Sequence, residues 1–109
     1  MSAIETYVAP RSLEEAVEVL RTGHATILAG GTDLMPQTRA GRAGFQPVLM
    51  NIRRIAELRG VSPTRNALRI GALTTISELR DSDLVRSRFN ALWQSCDQFA
   101  SDQVRNAGT

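Results

Sequence analysis

The residues best suited to chemistry in this 109-residue chain are Ile27-Leu28-Ala29-Gly30-Gly31-Thr32-Asp33-Leu34. An apolar run stops at two glycines, and a hydroxyl and a carboxylate follow at once. Glycine reaches φ > 0 and carries no Cβ, so a charged group can approach the bare peptide N–H groups. Thr32 and Asp33 are good N-caps for a following helical turn, whose free N–H groups attract anions. The order strand, phosphate-sized nest and helix start points to a phosphorylated ligand. The same four residues also describe an ordinary tight turn with a cap, so their surroundings must decide.

The rest of the chain offers few competitors. A single cysteine, Cys96, excludes an intramolecular disulfide and a cysteine-rich metal framework. His24 is the only histidine and has no second ligand type at a useful spacing. The pairs Glu14/Glu15 and Asp81/Asp83 read as first-turn helix charges, and no catalytic acid, base or nucleophile stands out. All 13 basic residues are arginine, yet the formal charge is only +2. Arg39/Arg42, Arg53/Arg54 and Arg86/Arg88 are spread among acids, which argues for solvated surface and against nucleic acid. No run of apolar residues is long enough for a membrane span, and Met1 to Pro10 has no secretory pattern, so the expected location is cytoplasmic.

The positioning elements follow from periodicity. Glu5 to Val8 reads as a strand ended by Pro10. Ser12 with Glu15 makes a capping box ahead of a helix over residues 13–22, whose apolar face is Leu13, Ala16, Val17, Val19 and Leu20. Gly23 is its C′ residue. Ala25 to Ala29 is a nearly all-apolar strand, as expected of one covered on both faces. This βαβ unit puts the glycine loop at the carboxyl end of a parallel strand, where open α/β sheets bind ligands. A short helix at residues 34–40, a third strand over Val48 to Ile52 and a helical turn at Ile55 to Leu58 come next. Arg59 to Ser62 and Ala67 to Leu73 then form a hairpin around Pro63-Thr64-Arg65-Asn66.

A helix starts at Ile76, and Asp81-Ser82-Asp83 caps another. From Leu84 the stripe Val85, Phe89, Leu92, Trp93, Cys96, Phe99, Ala100 keeps a 3.6-residue period, the mark of a core helix. The last residues, Gln103 to Thr109, read as a loop with nothing to cap or pack it, so a shortened chain is expected. The expected fold class is α/β (α+β), with a parallel βαβ subdomain over 1–56 and the beginning of an antiparallel one over 57–109.

Three blocks, Ile27 to Leu34, Ile70-Gly71-Ala72-Leu73-Thr74-Thr75 and Phe99-Ala100-Ser101-Asp102-Gln103-Val104-Arg105-Asn106-Ala107-Gly108-Thr109, give the chain a family resemblance. It resembles the N-terminal part of the FAD-binding (medium) subunit of the molybdenum hydroxylases, the xanthine dehydrogenase, aldehyde oxidase and carbon monoxide dehydrogenase type. The resemblance implies a PCMH-type FAD-binding fold in which Ile27, Leu28, Ala29, Gly30, Gly31, Thr32, Asp33 and Leu34 wrap the FAD pyrophosphate. Asp33 would cap a helix or bind a backbone N–H rather than face phosphate. Phe99 matches an aromatic position near the flavin, a role that competes with a core position. Thr109 matches the first residue of a second glycine loop, of the Thr-Ile-Gly-Gly-Asn kind.

The resemblance further implies an oxidoreductase component. The molybdenum cofactor and 2Fe-2S clusters would sit on partner subunits, an iron–sulfur small subunit and a molybdopterin large subunit. Electrons would pass through FAD to NAD+ or another acceptor. With one of two phosphate loops, this chain alone is expected to bind FAD weakly or not at all and to be inactive. The alternatives from other classes are a non-enzymatic α/β nucleotide- or anion-binding module and an inactive fragment.

Overall fold

A computed structural model describes residues 4–32, 34, 44–99 and 101–109. The chain divides into two compact units, Met1–Glu57 and Leu58–Thr109. Asp33, most of the helix expected at residues 34–40, and Ala100 lie outside the described residues.

The first unit carries β1 (Thr6–Val8), α1 (Leu13–Arg21), β2 (Ala25–Leu28) and β3 (Val48–Asn51) in a parallel sheet of order β1-β3-β2. Ser12 starts α1, its Oγ accepting the Glu15 amide at 3.2 Å. The Glu15 carboxylate returns to the amide of Arg11, one residue outside the expected box. Gly23, at φ 75°, ends the helix as a C′ glycine and donates to the Leu20 carbonyl at 3.0 Å.

One expectation for this unit needs correction. The parallel βαβ unit forms as expected, with β3 inserted between its two strands and aligning Tyr7 and Thr26 with Leu49. The strand covered on both faces is therefore β3, where Leu49, Met50 and Asn51 are buried, whereas Ile27 in β2 is 47% exposed. An apolar run signals a strand but does not say which neighbours will cover it. On α1 only Ala16 is buried, and Val17 and Leu20 are exposed.

The second unit begins with a hairpin of β4 (Val61–Pro63) and β5 (Leu68–Ile70), register Val61↔Ile70 to Pro63↔Leu68. Pro63 thus ends the strand rather than starting the turn. Thr64 closes the loop, its amide and hydroxyl both donating to the Ala67 carbonyl at 2.8 and 3.0 Å. Four short helices follow: α2 (Ile76–Arg80), α3 (Asp83–Arg88), α4 (Asn90–Gln98) and α5 (Asp102–Ala107). Leu79, Val85 and Cys96 are buried together, with Val61, Leu68, Ile76 and Trp93 packed on them.

The long stripe from Leu84 is two helices, not one. Phe89, at φ −135° and ψ 62°, donates the last bond of α3 to Val85 and accepts the first of α4 from Trp93. One non-helical residue re-aims the stripe, so Phe89, Leu92 and Phe99 are exposed while Val85 and Cys96 stay buried. Trp93 lies part-buried, its indole N–H donating to the Arg80 carbonyl at 2.7 Å and the Arg86 guanidinium 4.9 Å above its ring.

The chain's last residues are likewise a helix rather than a loop. Ser101 caps α5 through the Val104 amide, and the Gly108 carbonyl accepts the Ile76 amide at 2.9 Å. Arg105 reaches back to the carbonyls of Asp97 and Phe99 at 3.3 and 2.8 Å. No helix among the described residues is long and apolar enough to cross a membrane.

Candidate functional site

The candidate site is the carboxyl edge of the three-stranded sheet. Leu28 is the last residue of β2 and pairs with Asn51, and its carbonyl accepts the Ile52 amide at 3.1 Å. Beyond that bond the two strands part. Ala29 and Gly30 bend away, Gly31 takes φ 76°, Thr32 turns, and Leu34 is helical. Among the described residues none accepts a hydrogen bond from the amide of Gly30, Gly31 or Thr32. A hydrogen-bonded hairpin or tight turn would have consumed at least one of these donors. The left-handed Gly31 is the conformation that lets successive amides converge into an anion-binding nest.

Such a loop fits a diphosphate: peptide N–H donors, no side chain on two successive residues, and half-buried residues up to Gly31 followed by an exposed Thr32. A separate cavity of ≈ 410 Å³ borders α1, lined by Leu13, Val17, Arg21 and three glutamates. Those carboxylates would repel a phosphate. Among the described residues no cluster of His, Cys, Asp and Glu could hold a metal ion.

The other expected site residues stand in the second unit. Phe99 ends α4 and is 47% exposed, so the core reading of this residue does not hold. Thr109 is exposed after the buried Gly108. In the middle block, Gly71 lies so close to the chain that a Cβ there would sit 2.2 Å from the Leu58 carbonyl oxygen. Thr74 is buried, and Thr75 caps α2 through the Glu78 amide at 3.1 Å. These three residues therefore hold the fold together.

The sequence reading passed over Asn51 at the sheet edge and took Arg53 for solvated surface. Asn51 is buried; its Nδ2 donates to the Tyr7 hydroxyl at 2.8 Å, and its Oδ1 accepts from the Arg53 amide and Nε at 2.9 and 3.3 Å. A polar residue closing an apolar strand, Val48-Leu49-Met50-Asn51, followed by Arg53-Arg54, was the available signal.

Comparison with known proteins shows the family. The sequence profile described as "FAD binding domain in molybdopterin dehydrogenase" matches residues 2–109. The chain is 34% identical over 106 residues to the nicotinate dehydrogenase FAD-subunit of Eubacterium barkeri, covering 94% of this chain and 36% of that protein. It is 40% identical over 106 residues to the carbon monoxide dehydrogenase medium chain of Hydrogenophaga pseudoflava, with the same coverage of 94% and 36%. A solved carbon monoxide dehydrogenase from Hydrogenophaga pseudoflava, lacking the Mo-pyranopterin moiety of its molybdenum cofactor, matches with a TM-score of 0.88 and 36% identity. That match covers 100% of this chain and 38% of the other. The chain thus spans about a third of the length of the curated relatives it matches. With its parallel and antiparallel sheets, its glycine loop and this likeness along the chain, the protein belongs to the family of FAD-binding domains of molybdopterin dehydrogenases.

Proposed function

We propose that the chain holds FAD within a molybdenum-containing dehydrogenase or hydroxylase, with the diphosphate seated on the backbone of residues 27–34. The observation that carries this reading is that the amides of Gly30, Gly31 and Thr32 have no acceptor among the described residues and lie just past the carboxyl end of a parallel strand. In this reading Thr32 adds its hydroxyl, the Asp33 carboxylate does not face phosphate, and Phe99 stands near the flavin ring. Thr109 opens a second phosphate loop. Units Met1–Glu57 and Leu58–Thr109 are the two FAD-binding subdomains.

The enzyme we propose is a cytoplasmic hetero-oligomer. A large subunit carries the molybdenum cofactor and a small one the 2Fe-2S clusters. Bound FAD supplies the capacity to take electrons from those clusters and release them to NAD+ or another acceptor, while the protein supplies position and electrostatics. The 109-residue chain alone is inactive in substrate oxidation.

The test is a titration of the purified chain with FAD and with riboflavin, followed by flavin absorbance. The expected result is saturable FAD binding, weaker than micromolar, with riboflavin weaker still and Gly31→Val abolishing the difference. Equal binding of the two flavins, or no saturable binding of either, would contradict the proposal.

A further inference from the structure

A dinucleotide diphosphate carries two negative charges, and the loop that receives it offers no cation. The only charged side chain from Ile27 to Leu34 is Asp33, of the wrong sign. Peptide N–H groups carry partial charges and offset the phosphates only in part. Full compensation needs a cation from a neighbouring element, and parallel pairing supplies one. The Ile52–Leu28 bond holds the ends of β2 and β3 side by side, so Arg53 and Gly30 each stand two residues beyond the aligned pair Asn51–Leu28.

Arg53 is also held in place. Its amide and its Nε both donate to Asn51 Oδ1, so the root of the side chain is tied to the end of the sheet. Asn51 cannot flip its amide without losing these bonds, because its Nδ2 already donates to the Tyr7 hydroxyl. The polar atoms of one buried side chain thus fix both neighbours. A guanidinium has five N–H donors in a planar fork, so it holds more than one partner at once and matches phosphate oxygens in pairs.

We infer that Arg53 is the cation for the flavin diphosphate, and that Asn51, braced by Tyr7, is the residue that positions it. The inference rests on the FAD reading above and adds to it a binding residue outside the glycine loop. Asn51 and Arg53 also form an Asx-type turn, which would serve the fold alone. The two roles separate by experiment.

The experiment titrates the whole 109-residue chain with ADP, and with adenosine as the phosphate-free control, followed by ¹H–¹⁵N correlation spectra. Expected is movement of the Gly30 and Gly31 amides and of the Arg53 Nε–H with ADP but not with adenosine. Arg53→Gln should weaken ADP binding by about tenfold, the size of a lost charge-assisted hydrogen bond, without lowering the unfolding midpoint. Arg53→Lys should recover part of the loss, and the same changes should appear with FAD.

Asn51→Ala should weaken ADP about as much as Arg53→Gln, and the double variant no more than either alone, as residues acting in one chain of contacts do. Unchanged ADP affinity in Arg53→Gln, with the glycine amides still moving, overturns the inference and leaves the loop assignment standing. If neither glycine amide responds to ADP or FAD, both fail. A double variant with additive losses removes Asn51 from its positioning role.

Discussion

The Thr74 hydroxyl and the Gly60 backbone hold each other twice: Oγ1 accepts from the Gly60 amide and donates to its carbonyl, both at 3.0 Å. Thr74 is 2% exposed, and Gly60 sits at φ 105°, a conformation that favours glycine. The Gly60 carbonyl also takes the Gly71 amide at 2.9 Å, so one residue gathers the start of the hairpin and its exit. Thr74→Val keeps the shape and removes both bonds; urea unfolding should show a loss of about 1–2 kcal/mol, with Thr74→Ser nearer the parent. Equal stability of the valine and threonine proteins would show that solvent replaces the clasp without cost.

Gly71→Ala tests the close approach beside that clasp. An added Cβ would meet Leu58 backbone atoms at 2.2 and 2.6 Å, and backbone cannot swing aside as a side chain can. The hairpin must open, at a cost of about 1–3 kcal/mol or more. Gly44→Ala is the control, since nothing lies within 4 Å of its new methyl. Thermal unfolding should separate the two variants clearly; matching midpoints would contradict the packing described.

How much of this was legible in the sequence depends on the range of the interaction. Ser12, Gly23 and the hairpin composition act within a few residues, and their elements appear where expected. The position of β3 between β1 and β2 is a long-range pairing, and no local pattern in Ala25-Thr26-Ile27-Leu28 encodes it. The break at Phe89 escaped notice because one non-helical residue barely disturbs a 3.6-residue period. The capped α5 was missed because a six-residue helix has little periodicity to read. At the candidate site the paired glycines were legible, whereas the alignment of Arg53, beyond β3, with the loop beyond β2 follows only from sheet pairing.

Arg105 makes α5 part of the second unit. Its guanidinium donates to the Asp97 and Phe99 carbonyls at the end of α4 and pairs with Asp102. Removing it leaves those carbonyls to water. Arg105→Ala should cost about 1–2 kcal/mol, and amide exchange should quicken first in α5. Exchange that quickened evenly across both units would rule out this local role.

Cys96 is buried in the second unit's core, and that burial pushes its thiol above the ordinary range. The folded chain then holds the thiol proton to higher pH than the unfolded chain. The stabilisation is fully present below the unfolded thiol's pKa and is lost as pH rises through the folded one. Ellman's reagent at mildly alkaline pH should react slowly with the native chain and fast after denaturation. Rapid reaction of the folded protein would refute the burial.

The central claim is that the amides of Gly30, Gly31 and Thr32 bind the diphosphate of FAD. The most direct measurement is the amide spectrum of the ¹⁵N-labelled chain as FAD is added, with ³¹P resonances followed in the same samples. The account predicts that these three amides shift together, saturate with the phosphorus signals, and stay still with riboflavin. Movement of other residues while these three remain fixed would place the cofactor elsewhere and contradict the account.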